Sequence, residues 1–308
     1  MNIMISTNKK YLPYTRIMLY SLFTSHPLVP IDIWLTYDEL EDEDIDVLGG
    51  FIDSFESKKF HPVYVGDELR NRIHAKNGIS IETFYRILAI ELLPKEMDRI
   101  LHLDVDLIVR GDITGLYGTD LTGKAFSACE DIFGILNGFH KANKFRMNIP
   151  ENYTYFNAGV LLMNLDFLRE HNASEVMLER VYIDNDRYEY NDQDVMNEMF
   201  FDKVRIEGWD IYNCPPGWYF LSKSALDEGK VEFADYNTIT AIRSHMHGQE
   251  EIDAQYINVT NKIYDNAHII HYMGGTKPWS TTRNDAEIFK LFDSAFNDTE
   301  EAMKRMRW

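Results

Sequence analysis

The chain is short of cysteine, of glycine-rich turns and of basic charge, and each shortage removes a class of function. Cys129 and Cys214 are its only cysteines. They are spaced for neither a zinc site nor a disulfide framework, which fits a reducing compartment. No run approaches the ~20 apolar residues that a membrane-spanning helix needs. The turn after the first strand candidate, Ser6-Thr-Asn-Lys-Lys-Tyr, holds no glycine, so a nicotinamide fingerprint is excluded. No Gly-x-x-x-x-Gly-Lys-Ser/Thr occurs either, which excludes a P-loop. Lys and Arg number 31 against 50 Asp and Glu, a net charge of −19 over 308 residues. Such a body repels phosphate backbones and anionic lipid, so no nucleic-acid partner is expected. Any anionic substrate would need a metal or a local basic cluster to receive it. Met1–Ser6 reads as a strand, and Arg16 interrupts the stretch that could imitate a signal sequence. The expectation is a soluble, cytoplasmic protein.

What is present is globular: 45% hydrophobic and 26% charged residues exclude disorder and coiled coil. Asn2–Ser6, Ile31–Tyr37, Phe60–Val65 and Arg99–Leu103 read as strands, with helical spacing at Tyr11–Ser25 and Ile79–Leu93, where Pro94 stops the pattern. Seven acids fall within Asp38–Asp46, ahead of apolar positions at helical spacing. They suit a solvated helix start facing the helix dipole. Phe126–Ala128, Phe156–Met163 and Ala267–His271 are later strand candidates, and Asp192–Phe201 a helix. This alternation predicts an α/β fold, a mostly parallel twisted sheet with helices on both faces. Ligands then sit beyond the carboxyl ends of the strands.

The strongest local signal is Ile100-Leu-His-Leu-Asp104-Val-Asp106. Residues two apart on a strand point the same way, so the two carboxylates should converge at the strand's end. So close a pair repels unless a cation lies between, and oxygen ligands of this kind suit Mg²⁺ or Mn²⁺. The bland alternative is a loop in which one Asp caps a helix and the other is solvated. Dehalogenase-type phosphatases want such a pair on the first strand, followed by Gly-Thr or Gly-Val; here Leu-Ile-Val follows. A glycosidase pair belongs on separate elements, about 5 Å or more apart.

Three further segments accompany the pair: Tyr155-Phe-Asn157-Ala-Gly-Val-Leu-Leu-Met-Asn164, Asn191-Asp192-Gln193-Asp194-Val-Met-Asn197, and Ala267-His-Ile-Ile-His271-Tyr-Met-Gly274-Gly-Thr-Lys277-Pro-Trp279. Together, in this order over roughly residues 1–280, they resemble glycosyltransferase family 8, which includes bacterial lipopolysaccharide galactosyl- and glucosyltransferases and glycogenin. The resemblance implies the GT-A architecture, a Rossmann-like nucleotide-diphospho-sugar transferase fold. It also implies retaining transfer of a hexose, galactose or glucose, from a UDP-sugar donor to a glycan or glycolipid acceptor. Asp104, Asp106 and His271 match the metal ligands, and an imidazole among carboxylates favours Mn²⁺ over Mg²⁺. Lys277 and Gly274 match the diphosphate contacts, Arg86 a helix residue reaching the donor, and Asp131, Asn157, Asp192 and Gln193 positions around the donor sugar. Ser6, Asn8 and Val105 match nucleotide-binding positions; Asn8 departs from the acid often found there, although an amide oxygen can still accept from uracil. Gln193 is a poor nucleophile, so the resemblance implies same-face substitution, with Asp192 the fallback nucleophile.

The domain expectation is a GT-A catalytic unit over 1–279, then a C-terminal helix and basic tail over 280–308. Lys304–Trp308 reads as a solvated tail with at most weak membrane-surface contact, and His245–Glu251 as a surface or acceptor-side loop. Two other classes compete: a sugar-nucleotide hydrolase or phosphatase reusing the Asp pair, and a catalytically silent binding protein. The presence of all three metal ligands and Lys277 argues against the silent reading.

Overall fold

A computed structural model describes residues 1–67, 69, 71, 73, 80–136, 140–216, 264–274, 277–279 and 287–306. His245–Glu251 and the last two residues of the basic tail lie outside them. Seven strands form the main sheet: β1 (Asn2–Ser6), β2 (Ile31–Tyr37), β3 (Lys58–Tyr64), β4 (Arg99–Leu103), β6 (Phe126–Glu130), β7 (Phe156–Asn164) and β8 (Val204–Glu207). Their order is β3-β2-β1-β4-β7-β6-β8. The pairs are parallel except those of β7, which runs antiparallel to both β4 and β6. A separate antiparallel ribbon joins β5 (Leu107–Val109) to β9 (Ile269–His271).

The central strands are apolar on both faces because both are covered. Ile3 and Ile5 enter one core with α1 (Leu12–Ser25) and α2 (Asp42–Asp53), whereas Met4 between them enters the other. That second core is closed by α3 (Tyr85–Leu92), α4 (Leu165–Glu170), α5 (Ala173–Ile183) and α6 (Asn191–Phe200). A short α7 (Trp209–Tyr212) precedes the β9 region, and the late helix α8 (Glu287–Arg305) sends Ala295, Phe296 and Met303 into the first core.

Local chemistry sets the boundaries. The acidic run starts α2 as expected: the Glu41 N–H donates to Asp44 Oδ2 at 3.2 Å, and Asp42, Glu43 and Asp44 occupy the first turn. Leu93, before Pro94, takes extended dihedrals that end α3. Asn197 clamps α6 to the start of β7, accepting from Phe156 N–H at 2.7 Å and donating to Phe156 O at 2.8 Å. Among the described residues no helix is long and apolar enough to cross a membrane.

The strand read over Arg99–Leu103 is β4 with the same bounds, and Asp104 and Asp106 follow it in the bend before β5. The carboxylates still converge, because Asp104 N–H reaches across to Gly159 O at 2.8 Å and Tyr272 N–H bonds Asp106 O at 2.9 Å.

Candidate active site

Asp104, Asp106 and His271 come together where β4, β5 and β9 meet, with one ligand atom of each lying within 4.8 Å of the others. His271 Nε2 is 3.2 Å from Asp106 Oδ1 and 3.6 Å from Asp104 Oδ2. Burial pushes the Asp104 carboxyl up, but the Arg86 guanidinium and His102 outweigh it and hold the group far below the ordinary carboxylate range. Asp106 is likewise raised by burial and then pulled below its usual value by Lys277 and His271. Both carboxylates are therefore anionic at neutral pH.

Every one of these side chains is held from behind. Arg86, on α3, is buried; its Nη2 donates to Asp104 Oδ1 at 2.9 Å, its Nη1 to Ala158 O, and its Nε to Thr83 O at 3.0 Å. His102 donates Nε2–H to Asp104 Oδ1 at 3.0 Å and is held neutral by burial, its pKa depressed to about 4. Lys277 Nζ donates to Asp106 Oδ2 and, at 2.7 Å, to Tyr272 O. Asn213 meets His271 Nδ1 at 2.8 Å. Gly159 has no room for a side chain: a Cβ there would lie 2.2 Å from His271 Cε1 and 2.7 Å from Asp104 Oδ2.

The remaining predicted positions divide in two. Asp131, Asn157, Asp192 and Gln193 gather beside the carboxylates. Asn157 Nδ2 and Gln193 Nε2 each reach Asp131 at 3.4 Å, Gln193 Oε1 accepts Ala158 N–H at 3.0 Å, and Asp192 Oδ2 pairs with Arg86 Nε at 3.2 Å. Asp194, three residues beyond Asn191, has a different job. It is fully buried and accepts from Tyr155 Oη at 2.5 Å, Arg146 Nη2 at 2.9 Å and Tyr190 N–H at 3.0 Å. At the sheet end, Thr36 donates its hydroxyl to Ile5 O, so Ser6 must donate to Thr36 at 2.6 Å. Asn8 Oδ1 accepts Tyr11 N–H at 3.2 Å, Val105 is buried, and Gly274 has a φ of +75° that favours glycine.

Residues that the sequence reading missed include His102, Asn213 and the ring stack at the Lys277 loop. Trp279 stacks on Tyr14 with centroids 3.8 Å apart and meets Tyr11 edge-on at 6.1 Å. The stack ties this loop to α1.

Burial raises the pKa of Asp131 from 3.8 to about 6, with a Gly134 backbone hydrogen bond opposing it. The folded protein thus keeps a proton that the unfolded chain releases near 3.8. The stability that this proton carries is full below about pH 4 and is lost as pH rises through about 6. His102 works oppositely in part of that window, so the informative quantity is a difference. Relative to wild type, Asp131→Asn should lose its dependence on Asp131 across this range in thermal melts; parallel curves for the two proteins would remove the buried proton.

The described fold is that of the GT-A glycosyltransferases. The model of glycosyl transferase family 8 matches residues 2–283, and the chain belongs to that family. It is similar to a lipopolysaccharide 1,2-glucosyltransferase of Escherichia coli K12, 29% identical over 64% of this chain and 48% of that protein. A putative glycosyltransferase of Haemophilus influenzae is 25% identical over 67% of this chain and 61% of its own length. The chain thus spans about half to three fifths of the length of these relatives. Its fold matches that of the galactosyltransferase LgtC, crystallised with donor and acceptor sugar analogues. The TM-score is 0.73 at 22% identity, over 98% of this chain and 96% of that one.

Proposed function

We propose that the protein is a metal-dependent, retaining hexosyltransferase that moves galactose or glucose from a UDP-sugar to a glycan or glycolipid acceptor. The observation that carries this reading is the cluster of Asp104, Asp106 and His271 beside Lys277 in a family 8 chain. The donor set fits a divalent cation. Two anionic carboxylates face an imidazole nitrogen, and the glycine behind them leaves no bulk in the way. Mn²⁺ suits this set better than Mg²⁺, and a diphosphate completes such a shell.

When bound, the cation supplies Lewis-acid neutralisation of charge on a departing diphosphate. The chain's own residues do the rest. Lys277 brings an ammonium to the same charge, and Gly274 allows close backbone approach to phosphate oxygens. Arg86 and His102 hold Asp104 in its ligating orientation, and Ser6, Asn8 and Val105 border the nucleotide. Asp131, Asn157, Asp192 and Gln193 read sugar hydroxyls, which both donate and accept.

Same-face substitution, in which the departing phosphate takes the acceptor's proton, is supported by the state of the two nucleophile candidates. The Gln193 amide oxygen is occupied by Ala158 N–H, and Asp192 is buried against Arg86. The catalytic unit is 1–279, and the helix Glu287–Arg305 within 280–308 packs on it; Phe296 lies 5.2 Å from Trp279 between ring centroids. Lys304 and Arg305 pair with Glu300 and Glu301 of their own helix. A cytoplasmic location with at most weak membrane contact through Lys304–Trp308 suits that pairing.

The test is calorimetry. Mn²⁺ and UDP should each bind more tightly in the other's presence, and Asp106→Asn should abolish the coupling. UDP affinity unaffected by chelator would refute the metal reading. UDP release at the transfer rate without any acceptor would identify a hydrolase.

A further inference from the structure

We infer that Asn213 is a positioning residue that fixes the Nδ1 proton of His271 and so reserves Nε2 for a cation. This deepens the metal-site reading above and rests on it for its functional consequence. The order of donors and acceptors begins at a backbone amide, which cannot reverse its role. Gly159 N–H donates to Asn157 at 2.9 Å, so the Asn157 atom facing it is the oxygen Oδ1. The Asn157 amide nitrogen then faces the Asp131 carboxylate, which accepts at 3.4 Å.

Asn213 meets the same Asn157 oxygen at 3.0 Å, and only its Nδ2 can do so, since two oxygens there would repel. Its own Oδ1 is thereby turned to His271 Nδ1 at 2.8 Å. An amide oxygen accepts and never donates, so Nδ1 must carry a proton. A neutral ring then has its lone pair on Nε2, pointing at Asp104 and Asp106.

The relay is rigid. Asn213 is 1% exposed, and its neighbour Cys214 is tied to β9 by Cys214 N–H to Ile269 O at 3.0 Å and His271 N–H to Cys214 O at 2.9 Å. The segment carrying Asn213 and the strand carrying His271 are therefore held in register with each other. Metal-ligating histidines characteristically donate their second N–H to an outer partner, and loss of that partner costs 10–100-fold in affinity.

The experiment pairs nitrogen NMR of histidine-labelled, metal-free full-length protein with Mn²⁺ calorimetry. It uses wild type, Asn213→Leu and Asn213→Asp, at a pH well above the ordinary imidazole range. In wild type His271 should carry its proton on Nδ1; in Asn213→Leu the Nε2–H tautomer should appear. Mn²⁺ affinity should fall about 10–100-fold in Asn213→Leu. Asn213→Asp, which loses the donor to Asn157 but keeps an acceptor for Nδ1–H, should retain the Nδ1–H tautomer and lose less affinity than Asn213→Leu. A role in packing alone predicts the Nδ1–H tautomer unchanged in Asn213→Leu. A wild-type proton on Nε2, or equal Mn²⁺ affinity in wild type and Asn213→Leu, would overturn the inference. Should Asn213→Leu fail to fold, the wild-type spectrum and Asn213→Asp decide it. An Nδ1 proton in a wild type that binds no Mn²⁺ would uphold the tautomer assignment while refuting the metal reading of the proposed function.

Discussion

Gly159→Ala is expected to remove Mn²⁺ binding and to lower sugar transfer by at least about two orders of magnitude, at a modest cost in stability. The added methyl would sit 2.2 Å from His271 Cε1 and 2.7 Å from Asp104 Oδ2, inside two of the three proposed ligands. Either ligand can make room only by leaving the position in which its partners hold it. His271 is backed by Asn213, and Asp104 by Arg86 and His102. Gly159 itself is locked in β7 by its carbonyl bond to Asp104 N–H and its own N–H bond to Asn157. Overpacking of this kind costs about 1–3 kcal/mol, so the variant should still fold. Calorimetry with Mn²⁺ beside a thermal melt separates the two effects. A folded Gly159→Ala that binds Mn²⁺ as wild type does would mean that these side chains are not the ligand set.

Lys277→Met should lower the transfer rate by about two to three orders of magnitude, with a much smaller change in donor affinity. Leaving-group charge is larger in the transition state than in the bound donor, so a cation aimed at it acts mainly on rate. The side chain is well placed for such work: it is only 12% exposed and anchored by Tyr272 O and Asp106. Methionine keeps most of its volume but removes the charge and the two hydrogen bonds to Tyr272 O and Asp106. Gln193→Ala supplies the contrast. If Gln193 touches sugar equally in both states, its loss should slow transfer less and leave UDP binding nearly unchanged. Comparable rates for wild type and Lys277→Met would remove Lys277 from the chemistry. A glycosyl adduct found by mass spectrometry on Gln193→Glu along the native pathway would undercut same-face substitution.

The parts of this site that were legible in the sequence are those whose side-chain type and backbone agree locally. Asp104 and Asp106 follow an apolar strand, and Asn157-Ala-Gly159 opens another, so composition and position gave the same signal. The geometry behind the pair was not legible, because β5 is three residues long and takes its partner from β9, far along the chain. β8, an edge strand of four residues with two exposed, carries little apolar periodicity. In the run from Asn191 to Asn197, sequence could not sort the polar side chains by direction. Asp192 and Gln193 turn toward the carboxylates, whereas Asp194 and Asn197 hold β7 and α6 together. Asn213 had no signal at all: it lies in an aperiodic stretch, and its partner His271 is 58 residues away.

The order in which the chain supplies its parts has a consequence for a ribosome-bound molecule. All seven strands of the main sheet are complete by Glu207, yet His271 and Lys277 are still to come, and 165 residues separate Asp106 from His271. Synthesis runs from the N-terminus, so every strand of the main sheet is made before the cluster has its third ligand and its ammonium. A chain ended between Glu207 and His271 would hold every strand of the main sheet yet lack His271 and Lys277 of the proposed site. On the proposed reading, the site would be complete only once the segment holding β9 has closed the ribbon with β5.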